Sequence, residues 1–290
     1  MALQTEIWIN DIIEGLFADN SFLSRSVDHS DYVKERVVHV PNAGKSRGVK
    51  KNRSSYPAVV EQREDIDLTY MIDEYTTDPV HITDKDKVEL SYDKRQSVIR
   101  QDKSELHEEV AKGILENWVP KKEAGQMNLI GSKFTRQDLS AIRKKFNKEG
   151  VPQKGRCVLL DPDSEGDLLD SLTESQAQAY HSAVDVERGV VGKILGFEIL
   201  TPRPMPTGVK ALAWHPNSLS RAMGDVKAFD NSNDATYYGD VLSFLLRAGG
   251  SIIRDDAKGV LALKSAGDSL GNSGESIDAT GGSDSEDIGL

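Results

Sequence analysis

The chain has 290 residues, 38% of them hydrophobic and 29% charged, with 36 Lys+Arg against 47 Asp+Glu and a formal net charge of -11. That is enough apolar material for one large domain or two ordinary ones and too much for a disordered chain, and the acidic balance argues against a general nucleic-acid binder. A lone Cys157 excludes an intrachain disulfide or a cysteine zinc cluster, no apolar run nears the roughly 20 residues of a membrane span, and MALQTEIWIND is no signal peptide, so a soluble intracellular protein is expected.

Over residues 5–17, Trp8, Ile9, Ile12, Ile13, Leu16 and Phe17 recur at helical spacing. This predicts an amphipathic helix that docks either on its own domain or on a neighbouring subunit. From 34 to 63 the cations Lys34, Arg36, Lys45, Arg47, Lys50, Lys51, Arg53 and Arg63 face only Glu35 and Glu61. Strand-like RVVHV leads into turn-rich PNAGKSRGVKKNRSSYP, and the following segment alternates through Val60, Ile66, Leu68, Tyr70 and Ile72. The pattern predicts a long two-stranded arm with a basic tip. A free hairpin is marginal in water, so the arm needs a partner surface.

The sign of the charge then reverses. Glu64, Asp65, Asp67, Asp73, Glu74, Asp78, Asp84, Asp86 and Glu89 are countered only by Lys85 and Lys87. A cationic loop followed by an anionic segment suggests head-to-tail pairing between identical copies. Two ordinary solvated faces are the alternative.

In SYDKRQSVIRQDKSELHEEVAKGILENW, Ile99, Leu106, Val110, Ile114 and Trp118 form one stripe. A helix of about 27 residues, roughly 40 Å long, is expected there, stopped by Pro120. Thr135 and Asp138 form a capping box for a second helix through Leu139, Ile142 and Phe146 towards Gly150. RCVLLDP reads as a strand, followed by a short acidic loop and a helix after Leu168; Thr173 and Gln176 offer a further capping box. VVGKILGFEIL and VKALAW read as buried strands, YYGDVLSFLLRAGG as a helix ending in glycine, and SIIRDDAKGVLALK as a hairpin turning at DDAKG. Helices and strands mix without regular βαβ repetition, so the class is α+β. Residues 265–290 hold six acids and no Lys or Arg among Gly and Ser. Such a tail is mobile when free, and only a neighbouring chain could order it.

No catalytic, cofactor-binding or metal residue emerges. GKSRG lacks the glycine a phosphate loop needs five residues before Gly44, where His39 stands. DPDSEGD opens like an EF-hand loop, but its twelfth position is Leu172. His29, His39, His81, His107, His181 and His215 never pair at ligand spacing, and Cys157 sits in an apolar strand as an inert core residue. There is no G-x-S-x-G, and nothing indicates an enzyme.

Three stretches carry a resemblance. YTTDPVHITDKDKVELSYDKRQSVIRQDKSELHEEVAKGILENW resembles the approach to, and length of, the spine helix of tailed-bacteriophage major capsid proteins. RCVLLDPDSEGDLL followed by GVVGKILGFEILTP is similar to the centre of their axial domain, and GDVLSFLLRAGGSIIRDDAKGVLAL to the segment that closes their peripheral domain. The resemblance covers about residues 70–264. It implies the Hong Kong 97 capsid fold, which encapsulins share. In that frame residues 1–33 are an N-terminal arm and 34–75 an extended β-hairpin loop lying across an adjacent subunit. Residues 76–124 and 236–264 are the peripheral domain with its spine helix, 125–235 the axial domain, and 265–290 an acidic C-terminal tail.

The implied function is a major capsid protein that self-assembles, as hexamers and pentamers, into an icosahedral or prolate head around the viral DNA genome. Localisation in the virion after assembly in the host cytoplasm follows. The implied partners are further copies of the chain, a separate scaffolding protein, a portal and a decoration protein, with packaged double-stranded DNA touched only weakly and non-specifically and no membrane. The candidates for intersubunit contact are Trp8, Arg36, Lys45, Arg47, Lys50, Lys51, Arg53, Glu64, Asp65 and Asp67. Some family members join subunits through a Lys–Asn isopeptide bond. Lys50 and Lys51 occupy the right part of the loop, but no matching Asn or Glu is identified, so that chemistry is not carried over. Two other readings are an encapsulin-type compartment, separable by what its particles contain, and a nucleic-acid-binding module using the basic loop, separable by steep salt dependence.

Overall fold

The structure, a computed structural model, describes residues 21–42, 51–52, 66–83, 94–185, 188–234, 236–254 and 257–265. The expected helix over 5–17, the tip of the basic arm apart from residues 51–52, and the acidic tail from 266 onward lie outside the described residues. In chain order the first elements are strands β1 (Val27–Asp28), β2 (Val33–Lys34), β3 (Val37–Asn42), β4 (Ile66–Met71), β5 (Asp73–Thr76) and β6 (Val80–Thr83). Helix α1 (Lys94–Trp118), β7 (Gln126–Asn128), α2 (Arg136–Lys148), β8 (Cys157–Leu160), α3 (Pro162–Asp170) and α4 (Glu174–His181) follow. The chain continues through β9 (Val190–Ile194), β10 (Phe197–Leu200), β11 (Val209–Trp214), β12 (Leu219–Asp234), β13 (Gly239–Ile252) and β14 (Val260–Lys264). The class is α+β, as the sequence predicts.

Helix α1 is 25 residues long, close to the expected 27. Its stripe Leu106, Val110, Ile114 and Trp118 is buried, and the helix lies along β13. The five-stranded sheet beneath it orders β1-β12-β13-β5, with β6 on the far part of β13. Burial on both sides of the six-stranded sheet, β7-β14-β11-β8-β10-β9, explains why its strands read as nearly continuous apolar runs. Val158, Leu160, Phe197, Ile199, Ala211, Ala213, Leu261 and Leu263 join a core with Leu139, Ile142 and Phe146 of α2, Leu168 of α3 and Tyr180 of α4. The alternate residues Cys157, Leu159, Leu200, Leu212, Trp214, Val260 and Ala262 join a second core with α1 and β13. Period-two alternation thus sends each strand's side chains into two different cores.

Both capping boxes form. The buried Asp138 carboxylate accepts from the Thr135 N–H at 2.9 Å and the Ile130 N–H at 2.8 Å, and Gln176 caps Thr173 at the start of α4. The third sheet, β2-β3-β4, is the base of the arm, with β3 and β4 in antiparallel register from Val37↔Met71 to Asn42↔Ile66.

Four readings of the sequence are corrected. The segment read as a helix ending in glycine is strand β13. Its buried residues Leu242, Phe244, Leu246 and Ala248 repeat every two positions, and pairing along β12 decides against the helix. The DDAKG hairpin does not form, because β14 leaves β13 and pairs with β11 and β7 in the other sheet. The acidic segment before Leu168 is not a loop but most of α3, with Asp161 at the N-cap and Pro162 pre-set for the first helical position. VVGKILGFEIL is two strands, β9 and β10, joined at Leu195 and Gly196, both in the left-handed region that a two-residue hairpin turn requires.

Candidate assembly surfaces

A point where several elements meet fixes the root of the arm. Ser220, fully buried on β12, shares hydrogen bonds of 2.6 Å with His29 Nδ1 and with the Tyr70 hydroxyl of β4. Its carbonyl accepts the Trp118 Nε1–H at 2.9 Å. The segment leaving β1, the arm and the end of α1 therefore converge on one residue. Arg221 adds a second tie, donating to the carbonyls of Leu23 at 2.8 Å and Ser26 at 2.9 Å and to Asp28 at 3.1 Å. Burial raises the Tyr70 hydroxyl to about 12, against the opposing effect of its bond to Ser220. Burial also holds the His29 imidazole below its ordinary value, outweighing Asp28. Neither group is charged at neutral pH, which suits a structural junction rather than proton transfer.

The arm leaves this junction on a small apolar cluster of Val38, Val40, Ile72 and Ala222. Of the contact candidates, Arg36 is exposed in the turn between β2 and β3, where its carbonyl accepts the Ile72 N–H at 2.9 Å. Lys51 is exposed at a bend, and Asp67 pairs with Pro41 in the β3–β4 ladder. Trp8, Lys45, Arg47, Lys50, Arg53, Glu64 and Asp65 lie outside the described residues.

Acidic side chains of the 64–89 segment and of α1 divide into internal and external groups. Glu74 is bound within the subunit by Arg247 at 2.8 Å, and Arg247 also reaches Asp225 at 3.4 Å. Glu105, Glu109 and Glu116 line the solvent side of α1, with Lys112 near Glu109 at 3.7 Å. Glu108 is tied to Arg203, which also stands over the Phe22 ring at 4.9 Å. The roles of Ser220, Arg221, Arg203 and Arg247 leave no signal in sequence, because their partners lie far along the chain. Burial pushes the Cys157 thiol up to about 12, so it is an unreactive core group. Among the described residues no three His, Cys, Asp or Glu side chains converge as a metal site, and no helix is long and apolar enough to cross a membrane.

No protein-family model matches the sequence, and no curated protein matches it. Solved structures do. The capsid of cyanophage P-SCSP1u superposes with a TM-score of 0.64 at 14% identity, covering 83% of this chain and 86% of that one. The capsid of Ralstonia phage GP4 gives 0.66 at 11% identity, covering 86% and 89%. This chain has the capsid-protein fold. The capsid of a native GTA particle agrees, at 0.63 and 12% identity over 85% and 90%. The α+β Hong Kong 97-like fold expected from the sequence is therefore the observed one.

Proposed function

We propose that this chain is a major capsid protein, a structural, non-catalytic subunit whose copies close into a shell around a DNA genome. The observation that carries the reading is the whole-chain likeness to capsid structures, covering 83–86% of this chain. The arm fits the role, since the short β3–β4 ladder leads into a basic, turn-rich sequence that would need a surface beyond its own subunit.

In this reading residues 1–33 are the N-terminal arm, 34–75 the extended loop and 265–290 the tail. The body divides into a peripheral unit on α1 and an axial unit on the six-stranded sheet. Strand pairing groups Leu219–Asp234 with the peripheral β13, and Val260–Lys264 with the axial sheet. Arg36, Lys45, Arg47, Lys50, Lys51 and Arg53 meet acids of an adjacent copy, and the solvent face of α1 at Glu105, Glu109 and Glu116 is the best-placed acidic surface. Trp8, Glu64, Asp65 and Asp67 complete the contact set. Scaffolding, portal and decoration proteins are further partners, and assembly takes place in the host cytoplasm. Negative-stain microscopy of the purified protein should show capsomers, tubes or closed shells. A monodisperse monomer at high concentration would overturn the proposal.

A further inference from the structure

The helices over one face of the six-stranded sheet are sorted by charge. Residues 133–154 hold seven Lys and Arg against two acids, and residues 161–185 hold seven acids and no Lys or Arg. The start of α2 adjoins α3, where Lys133 reaches Asp167 and the Arg136 N–H donates to Ser171 Oγ at 3.3 Å, and the two groups part from there. The C-terminal half of α2 lies at the β7–β14 side, where Lys145 donates to the Ala124 carbonyl and Glu149 accepts the Gly259 N–H at 3.4 Å. Helix α4 covers β9, the opposite edge strand, with the Tyr180 ring against Gly192. Internal pairing uses few of these charges: Lys133 binds Asp167 at 2.9 Å, and Asp161 and Asp185 meet Lys210 at 3.8 Å and Arg188 at 4.0 Å. Arg143, Lys144 and Lys148 on α2, and Asp163 and Glu174 on α3 and α4, have no ion pair among the described residues, and Asp170 lies in the field of Lys133 without a close pair. Exposed apolar side chains stand nearby, Ile130 at 61% accessibility beside the α3–α4 junction and Val184 at 45% after α4.

Resting on the shell-forming reading, we propose that these surfaces are the two halves of one head-to-tail interface. The cationic flank of α2 in one copy docks on the acidic flank of α3 and α4 in the next. Two different patches of opposite sign, separated on one domain, make a heterologous contact, which closes into rings when the rotation allows. A face-to-face pair would instead bring like charges together. Each exposed pair contributes little by itself, but a ring repeats the whole set at every contact, and the complementarity fixes its polarity.

Charge reversal in the full-length protein tests this. R143E/K144E/K148E alone, and D163K/D170K/E174K alone, should each raise the concentration needed for capsomers by roughly tenfold or more, with the parent's circular dichroism retained. All six changes in one chain should restore assembly. A mixture of the two single-patch variants should close six-membered rings, in which the variants can alternate, but not five-membered ones. Should a reversed variant fail to fold, R143Q/K144Q/K148Q serves instead, and its assembly should be less sensitive to salt than the parent's. Parent-like assembly of a folded reversal variant, a folded six-fold variant that stays dispersed, or an unchanged salt response of the glutamine variant would each overturn the interface. Failure of the parent itself to form capsomers would instead overturn the shell-forming reading.

Discussion

Trp118 shows how one side chain ties α1 into the core it shares with the six-stranded sheet. It is fully buried, its ring lies 5.9 Å from Phe22 and 5.8 Å from Trp214, and its Nε1–H reaches the Ser220 carbonyl. Gly250 is required beside it, since a Cβ there would stand 2.6 Å from Nε1. Trp118→Ala should cost about 3–5 kcal/mol, measured by urea unfolding. Trp118→Phe keeps ring packing but strands the carbonyl, and should cost about 1–3 kcal/mol. The histidines add a pH dependence. Burial holds both His29 and His215 below the ordinary value of 6.5. Below that value the unfolded chain takes up protons that the folded chain refuses, so stability is complete above about pH 6.5 and falls as the pH drops. The urea midpoint should be lower at pH 5.5 than at 7.5, and His29→Gln should reduce the difference. An equal difference in the variant would show that His29 does not contribute. For Glu198 burial acts upward, but the Lys193 hydrogen bond and the Arg25 charge outweigh it and hold the carboxyl low. Its contribution is therefore present above the ordinary carboxylate range and lost only at more acidic pH.

At the scale of elements, the arm is separable from the body in a way the helices are not. The β3–β4 ladder ends at Asn42↔Ile66, and the root cluster involves Val38, Val40, Ile72 and Ala222. Deleting residues 44–55 leaves all of these in place. The shortened chain should melt within a few degrees of the parent yet form no shells, as size-exclusion chromatography and microscopy would show. Loss of cooperative melting would mean that the arm serves its own subunit. Legibility of the elements follows the same division. Helices α1, α2 and α4 declare themselves through stripes and caps that act within a few residues. Strand β13 did not, because Val241, Phe244, Leu245 and Ala248 also satisfy a helical spacing, and only the long register with β12 selects period two. β12 itself, with Asp225, Lys227, Asp230 and Asn231 along it, has little apolar signal and is a strand by virtue of its partner.

For the whole molecule, the fold was legible because its segments follow one another in a familiar order, whereas the proposed assembly surface is marked in the sequence only by charge. The cations of the arm could be counted in sequence, but the Ser220 junction could not. It joins residues 191 and 150 positions apart, a separation no local pattern records. The same long reach bears on when the subunit becomes competent. Strand β14 does not lie at an edge. It stands between β7 and β11, so the six-stranded sheet stays in two pieces until residue 264 has been made. Translation at about 5–20 residues per second delivers α2 and α4 several seconds earlier, onto a sheet that cannot yet close. A chain still on the ribosome therefore lacks the strand that joins β7 to the rest of the sheet, and on the proposed interface only a finished subunit would present both flanks on one continuous sheet.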